Sequence, residues 1–401
     1  MALKIENLQK RKKAERMNKI LRLLFSPFLS RTRKRKGRDL TKLNFRKILL
    51  IRPHHLGDFI MFTPAIREVR KRFPTSEIVL LAGSWAEPLV RHNPNVDRVI
   101  FHDCLWWRKI RPGRKPSFFG YLLDYKRLFF RLRRERFDLA IDFLGDLRNI
   151  LLFMQLPGAR YKIGFDRSGG EYFLTHTVPF NLPTHEVMKC FDLLEVLGIE
   201  KKPGKLDVFC SEKEKKEAER IRKVHGLEER QFLIIHPGAR LKIKRWPESR
   251  FAQLGKKLAE NTGFKVVIVG DRDDRKRMSR FDLEKSGIID LCGEMDLLTL
   301  KALLGKVLLF IGNSSLGMHL AAAAGTPIVG ILGSADPRRT SPHGVPCRII
   351  QKHFDCSPCL EIECHLSSDG YGACMKALSV EEVYSEVVHF LNTLRAKTEE
   401  A

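Results

Sequence analysis

Two short stretches carry side chains that could perform a group transfer. Gly57-Asp58 lies where a predicted strand, 47–52, ends and a predicted helix, 59–73, begins, so Asp58 could act as a general base. A helix N-cap is the alternative role for this aspartate. The second stretch, 236–247, follows another predicted strand and holds Arg240 and Lys244, cations that could neutralise phosphates. The alternative interpretation of this stretch is a solvated basic loop without a ligand.

A third stretch, 306–333, could bind an anion through its main chain. We predict a buried strand at 307–311, a turn of small residues at 312–315, an Ala-rich helix at 316–324 and a second strand at 328–332. The N–H groups of Ser314–Gly317 would then point at a ligand from the helix N-terminus. An ordinary crossover without a ligand has the same pattern. His319, one turn into the helix, is most simply a structural histidine.

Other candidates are weaker. Asp271, Asp273 and Asp274 follow a predicted strand that ends at Gly270, where an acid can bind ribose hydroxyls, although charged loop residues often have no role. Four thiols cluster late in the chain at Cys356, Cys359, Cys364 and Cys374. They are enough for a tetrahedral zinc site, but their spacing does not match the common paired knuckles. Free thiols or a disulfide remain open, so we predict no cofactor and at most a structural zinc.

The elements that must position these residues alternate between strand and helix. That alternation predicts mostly parallel sheets in an α/β protein, with two Rossmann-like domains facing a central cleft. The 401 residues are enough for two such domains. We place them at 47–199 and 206–378, joined by a polar linker at 200–205. A basic, partly amphipathic extension precedes them at 1–46, and a C-terminal helix and tail follow at 379–401.

The positive charge is concentrated in two segments. The chain has a formal net charge of +26, and residues 1–46 hold 16 Lys and Arg against 3 Asp and Glu. Residues 105–136 hold 11 against 2, with aromatic side chains among them. Such segments indicate a polyanionic partner, and the apolar residues beside the cations favour a membrane surface over nucleic acid. A disordered basic tail with a solvated helix face is the remaining alternative.

The apolar run 20–30 is too short to span a bilayer but suits an interfacial segment. It contains Arg22 and Pro27, and basic residues rather than a small-residue cleavage site follow it, so we expect no secretory signal. We therefore expect a cytoplasmic protein, peripheral on the inner face of the cytoplasmic membrane.

In this order, the motifs resemble those of glycosyltransferase family nine, the heptosyltransferases of the lipopolysaccharide core. The resemblance rests on IRPHHLGDFIMFTPAIREVRKRFP (51–74), HPGARLKIKRWPESRF (236–251), VVIVGDRDD (266–274) and GNSSLGMHLAAAAGTPIVGILG (312–333). The Cys-Ser-Pro-Cys cluster is also similar to that family. The similarity extends from about Lys47 to the C-terminal helix.

The resemblance implies a GT-B fold and transfer of heptose from an ADP-activated donor with inversion and without a metal. On this basis Asp58 would deprotonate the acceptor hydroxyl and Lys244 would stabilise the departing pyrophosphate. We expect the nucleotide-sugar donor to be bound by His236, Gly238, Arg240, Asp271, Asp273, Gly293, Ser314, Ser315, Leu316, Gly317 and His319. We expect the anionic lipid-linked acceptor, or the membrane, to be bound by Arg52, His54, His55, Trp106, Trp107, Arg108 and Arg111.

One departure from the family pattern concerns the donor. The family has Asn-Asp-Ser-Gly before Met-His, whereas this chain has Ser314 in place of the acid and a glycine displaced by one position. Since that acid helps to hold the donor sugar, a different nucleotide sugar is an alternative. A non-catalytic nucleotide-sugar or polyanion-binding protein is another, and retention of both Asp58 and Lys244 argues against it.

Overall fold

The chain folds into two compact units. The computed structural model describes residues 34–104, 118–366 and 370–399, and before them residues 15, 18–20, 22, 23, 29 and 32. Residue contacts divide the chain into Met1–Pro203 and Gly204–Ala401, the N-terminal and C-terminal units. The predicted acceptor or membrane residues Trp106, Trp107, Arg108 and Arg111 lie outside the described residues. The four domain boundaries given above stay a prediction.

The N-terminal unit is a six-stranded parallel sheet with helices on both faces. Its strand order is β3-β2-β1-β4-β5-β6. The strands are β1 Lys47–Ile51, β2 Glu77–Ala82, β3 Arg98–Phe101, β4 Leu139–Asp142, β5 Tyr161–Phe165 and β6 His176–Val178. The helices are α1 Leu56–Arg72, α2 Glu87–Val90, α3 Phe118–Glu135, α4 Leu147–Asn149, which continues as a π-helical turn Ile150–Gln155, and α5 Glu186–Leu194.

The C-terminal unit repeats this architecture. Its sheet is also six-stranded and parallel, in the order β12-β11-β10-β7-β8-β9. The strands are β7 Phe232–His236, β8 Lys265–Ile268, β9 Ile288–Asp290, β10 Leu309–Asn313, β11 Ile328–Leu332 and β12 Cys347–Gln351. The helices are α6 Glu212–Val224, α7 Glu248–Thr262, α8 Arg272–Met278, α9 Leu297–Leu304, α10 Leu316–Ala323, α11 Pro337–Thr340, α12 Ala373–Lys376 and α13 Val380–Glu399.

The predicted α/β class with parallel sheets is confirmed. Strands such as KILLI and EIVLLA are nearly continuous apolar runs, which suits strands that helices cover on both faces. Two short strands, β6 and β12, were not predicted, because their sequences HTV and CRIIQ lack a long apolar run. The charged residues after Gly270 predict a helix at 273–284, whereas the observed helix, α8, ends at Met278, whose side chain is fully buried in the core.

Each sheet has one point where its strand order reverses. In the N-terminal unit it lies between β1 and β4, which pair with Ile51 opposite Asp142. In the C-terminal unit it lies between β7 and β10, which pair with His236 opposite Gly312. Ligands of open α/β sheets bind beyond the carboxyl ends of the strands at such a point. This topology therefore selects one candidate site in each unit: the loops after β1 and β4 in the N-terminal unit, and those after β7 and β10 in the C-terminal unit.

A buried asparagine joins these loops in the C-terminal unit. β10 runs through Asn313, two residues beyond the end predicted for it, and Asn313 is fully buried. Its Nδ2 donates to the main-chain oxygen of Pro237 over 2.7 Å, and its Oδ1 accepts from the main-chain N–H of Trp246 over 3.0 Å. One side chain thus fixes the end of β10 to two segments of the loop after β7.

Replacing Asn313 by alanine should destabilise the protein by about 2–4 kcal/mol, because a buried donor and a buried acceptor both lose their partner. Chemical denaturation measures this loss. Asn261→Ala is the control, since the Asn261 amide is exposed and bonds only to its own helix. It should change the free energy of unfolding by less than about 0.5 kcal/mol. Equal losses in the two variants would contradict a structural role for Asn313.

Candidate active site

Asp58 lies in the first turn of α1. The helix begins at Leu56, so Asp58 is its third residue and not the N-cap, and the N-cap alternative is wrong. His55 occupies the N-cap position, with no side-chain hydrogen bond to the helix. The Oδ2 of Asp58 instead lies 2.5 Å from the Nδ1 of His54, and about a fifth of each side chain is exposed. The carboxylate is therefore held by one imidazole and remains accessible.

The surroundings of Asp58 keep it ionised. Burial of the carboxyl opposes ionisation, but the charges of His54, Arg52 and His55 and the His54 hydrogen bond outweigh burial. The pKa of Asp58 consequently lies far below its ordinary value of 3.8. At neutral pH this carboxylate can accept a hydrogen bond and then a proton, as a general base must.

Arg52 holds the strand end from which the Asp58 loop departs. It follows β1 directly and is only 3% exposed. Its Nη1 donates to the main-chain oxygen of Phe143, just beyond β4, and its Nη2 lies 3.8 Å from Glu186. Glu186 also pairs with Lys189 at 2.8 Å. Arg52 was predicted to contact the acceptor; in the described structure its contacts are to the protein.

The loop after β2 supports His54 as well. The indole Nε1 of Trp85 donates to the main-chain oxygen of His54 over 2.6 Å, and the rings of His54 and His55 are 4.7 Å apart. No local motif indicates this role for Trp85, because it lies 31 residues from its partner.

A second carboxyl group, Asp142, was missed. It ends β4 beside Ile51, is fully buried, and accepts from the Asn149 amide over 3.0 Å and from the Asp146 N–H over 3.1 Å. Burial raises the pKa of Asp142 to about 7, because the hydrogen bonds only partly compensate for lost hydration. The available signal was an acid at the end of an otherwise apolar strand.

In the C-terminal unit, His236 and α10 form one surface. The His236 ring lies against Gly317 so closely that a Cβ there would be 3.0 Å from its Cδ2, which explains the displaced glycine. Burial lowers the pKa of His236, although Asp274 and Asp271 oppose this. The Nδ1 of His236 and the Oγ of Ser315 are buried and have no hydrogen-bond partner among the described residues.

Ser315 is the N-cap residue of α10, but its side chain makes no capping bond. The N–H groups of Leu316 and Gly317 open the helix, where the first amides have no partner within it. Ser314 and His319 are buried, at 6% and 5% exposure. This helix end therefore combines main-chain donors with a serine hydroxyl, an arrangement suited to a phosphate group.

Lys244 ends a short turn, Lys242–Lys244, whose neighbours anchor it in the core. Ile243 is 2% exposed and Trp246 fully buried, and the Trp246 indole donates to the main-chain oxygen of Leu378 over 3.0 Å. Lys244 itself is half-buried, and Arg240 is exposed. The cations proposed for the phosphates thus lie on a loop that Asn313 and the Trp246 ring hold at the end of β7.

The acids after β8 serve the helix that follows. Asp271 is the N-cap of α8 and accepts from the N–H groups of Asp273 and Asp274. Asp273 is exposed. Asp274 is buried and lies against the main chain of Gly238, which belongs to the loop after β7. The N–H of Gly293 donates to Gly270 over 2.8 Å, which brings the loop after β9 to the same edge.

The cysteine cluster does not form a metal site in this arrangement. Burial raises the pKa of the Cys374 thiol, and Cys359, Cys356 and Cys364 add to the rise, so these three thiols lie within electrostatic range of Cys374. Among the described residues, however, no three His, Cys, Asp or Glu side chains are placed to hold a metal ion. All four of these cysteines are free thiols.

The raised pKa of Asp142 predicts how stability changes with pH. Between pH 3.8 and about 7 the folded state keeps a proton that the unfolded state releases, so the free energy of unfolding should fall as pH rises through this window and level off above it. In Asp142→Asn this decline should be absent. Unfolding followed at several pH values compares the two proteins.

Asp282→Asn removes an exposed carboxyl and is the control, which should keep the wild-type pH dependence. If the free energy of unfolding of Asp142→Asn varied with pH in the same way as that of the wild type, the raised pKa of Asp142 would be contradicted.

The sequence matches a known family over more than half of its length. Residues 125–368 match glycosyltransferase family 9 (heptosyltransferase). Lipopolysaccharide heptosyltransferase 2 of Salmonella typhimurium is 24% identical over 328 residues, which are 76% of this chain and 88% of that protein.

Solved structures share the fold. The crystal structure of a family 9 glycosyltransferase from Veillonella parvula superimposes with a TM-score of 0.72 at 22% identity, covering 89% of this chain and 100% of that one. The E. coli ADP-heptose lps heptosyltransferase II gives 0.66 at 22% identity, with coverage of 88% and 100%. Within the described part of the chain, no helix is both long and apolar enough to cross a membrane.

The match extends over more than half of the sequence and includes the loops after β7 and β10. The chain therefore belongs to glycosyltransferase family 9, the heptosyltransferase family.

Proposed function

We propose that the protein is an inverting glycosyltransferase that moves a heptose from an ADP-activated donor to the inner core of lipopolysaccharide or to another lipid-linked saccharide. The observation that carries the proposal is the ionised Asp58 carboxylate, partly exposed where the strand order of its sheet reverses. A binding protein needs no such base. Relatives named lipopolysaccharide heptosyltransferase 2 and 3 support the choice of heptose and of a lipopolysaccharide acceptor.

In the proposed step Asp58 accepts the proton of an acceptor hydroxyl while that oxygen bonds to the anomeric carbon from the face opposite the leaving group. The bond from the anomeric carbon to the pyrophosphate oxygen breaks, and ADP departs with the electron pair. Because the pKa of Asp58 is low, proton transfer would accompany the attack and not precede it.

Charge that develops on the leaving diphosphate would meet preorganised donors. We assign this role to Lys244 and to the N–H groups at the start of α10, with Ser315 and His236 beside them. Fixed donors stabilise developing negative charge without reorganising, so the step needs no metal ion. We also propose that the protein acts as a peripheral protein on the inner face of the cytoplasmic membrane, where a lipid-linked acceptor is accessible.

Asp58→Asn should lower turnover by about 10²–10⁴-fold, since the amide cannot accept the proton. Transfer is measured by mass spectrometry, with ADP-heptose as donor and lipopolysaccharide lacking its core heptoses as acceptor. The affinity for ADP should stay unchanged, because Asp58 belongs to the N-terminal unit. Exposed Asp282→Asn is the control and should retain full turnover. An Asp58→Asn variant with wild-type turnover would refute the assigned base.

A second candidate keeps the reaction and changes the donor sugar. The observation behind it is Ser314, which is buried and neutral where the family has an acid. Calorimetric titrations of ADP-heptose, GDP-sugars and UDP-sugars would distinguish the two candidates.

The favoured candidate predicts that ADP-heptose binds most tightly and that Lys244→Ala weakens its binding at least tenfold. Lys256→Ala removes an equivalent exposed charge from α7 and should change nothing. Preference for another nucleotide sugar would select the second candidate. Binding of none would favour a non-catalytic protein.

A further inference from the structure

The N-terminal unit exposes large apolar side chains in a restricted region. Among its described residues they belong to three places: the residues before position 24, the end of β3, and α3. The exposed fractions of these side chains range from 41% to 77%. Clustered exposure of this kind is typical of an interaction surface. They are Ile20, Leu23, Phe101, Leu122, Leu123 and Phe130.

Two of these places, α3 and the residues before position 24, lie on the same face of the sheet, whereas Phe101 follows Ile100 in β3 and so points to the opposite face. Alternate strand residues, such as Leu49, Ile51 and Val79, form one core cluster with Leu128 and Leu132 of α3. Tyr172, which follows β5, packs against that cluster, and its hydroxyl donates to the main-chain oxygen of Asn18 over 3.0 Å. Residues 18–20 and 22–23 are helical, and the hydrogen bond from Tyr172 to Asn18 places them on the same side as α3.

Exposed cations surround the apolar side chains. None of them has a described carboxylate within ion-pair distance, whereas Glu135, at the end of α3, is bound to Lys47 and Arg98. Asp124 is the exposed acid within α3. The cations are Lys19, Arg22, Lys126, Arg127, Arg131, Arg133 and Arg134.

This surface is tied to the edge that carries the candidate base. The Asn18 side chain accepts from the N–H of Gly170 over 2.9 Å and lies over Gly169, in the loop after β5. Ser168 of that loop accepts from the Leu147 N–H over 3.1 Å, in the loop after β4. Two hydrogen bonds thus connect Asn18, through the loop after β5, to Leu147 beyond β4, the strand beside the reversal of strand order.

We propose that this surface, the α3 face, docks the protein on an anionic lipid bilayer. Apolar side chains interspersed with unpaired cations match the boundary between acyl chains and anionic headgroups. A nucleic acid would use the cations but leave Leu122, Leu123 and Ile20 without a partner. The proposal extends the proposed function, because it identifies the surface on which a lipid-linked acceptor would be met, but lipid binding can be measured without turnover.

The full chain is tested for binding to phosphatidylcholine vesicles with and without phosphatidylglycerol. The expected result is tight binding to the anionic vesicles only, weakened by salt. Leu122→Ser with Leu123→Ser and Phe130→Ser should lose at least tenfold in affinity. Lys126→Gln with Arg133→Gln should lose roughly twenty-five-fold at low salt, at about fivefold per cation. Both variants alter exposed side chains, and circular dichroism together with ADP binding verifies that they fold.

Val224→Ser is the matched control. Val224 is 66% exposed and lies beside Arg222 and Lys223, but in the C-terminal unit. It should leave vesicle binding unchanged. Three results would overturn the proposal: equal binding to neutral and anionic vesicles, equal losses in the control and the α3 variants, or release of the protein from vesicles by an oligonucleotide at equal charge.

Turnover on detergent-dispersed acceptor separates this proposal from the proposed function. It should be unaffected in the α3 variants. A chain that binds vesicles but transfers no sugar would contradict the proposed function alone, and one that transfers sugar but ignores vesicles would contradict the docking surface alone.

Discussion

In each unit a buried polar side chain reaches across the strand order reversal and donates to the main chain just beyond the neighbouring strand. Arg52, after β1, donates to Phe143, after β4. Asn313, at the end of β10, donates to Pro237, after β7. A buried donor without a partner is costly, so each contact fixes two loops at once. The candidate base and the candidate phosphate-binding loop both depart from strand ends held in this way.

These fixed loops give neighbouring groups opposite electrostatic properties. Asp58 and Asp142 lie near the carboxyl ends of paired strands, yet cations hold the pKa of Asp58 low while burial raises that of Asp142. Environments that push two carboxyl pKa values apart are how one fold separates a charged acid from a neutral one. In the C-terminal unit the corresponding edge offers main-chain N–H groups, a serine hydroxyl and cations instead. Each unit therefore has a distinct chemical capacity.

The sequence was sufficient for much of this. Apolar runs and small-residue turns predicted the parallel α/β architecture, and α10 and β11 were predicted almost to the residue because small-residue turns bound them, whereas β10 lies two residues later than predicted. The resemblance of the sequence motifs to those of family nine predicted the family. Local pattern could not reveal contacts between distant segments, such as Asn313 with Trp246, which are 67 residues apart.

Local pattern also could not decide between a cap and a functional acid. Asp58 looked like a cap but lies within its helix, whereas Asp271 looked like a ligand for ribose and caps α8. Helix starts vary by a residue or two for reasons that lie in the tertiary structure. The catalytic and binding roles proposed for individual residues depend in addition on where the donor and the acceptor bind, which local pattern does not encode.

The proposed mechanism requires a diphosphate to bind at the start of α10, beside the loop that Asn313 holds. A crystal structure of the protein with ADP would show where the diphosphate binds. We predict that the diphosphate accepts hydrogen bonds from the N–H groups of residues 314–317 and lies within ion-pair distance of Lys244. ADP bound away from α10, or a diphosphate that contacts neither these amides nor Lys244, would contradict the account.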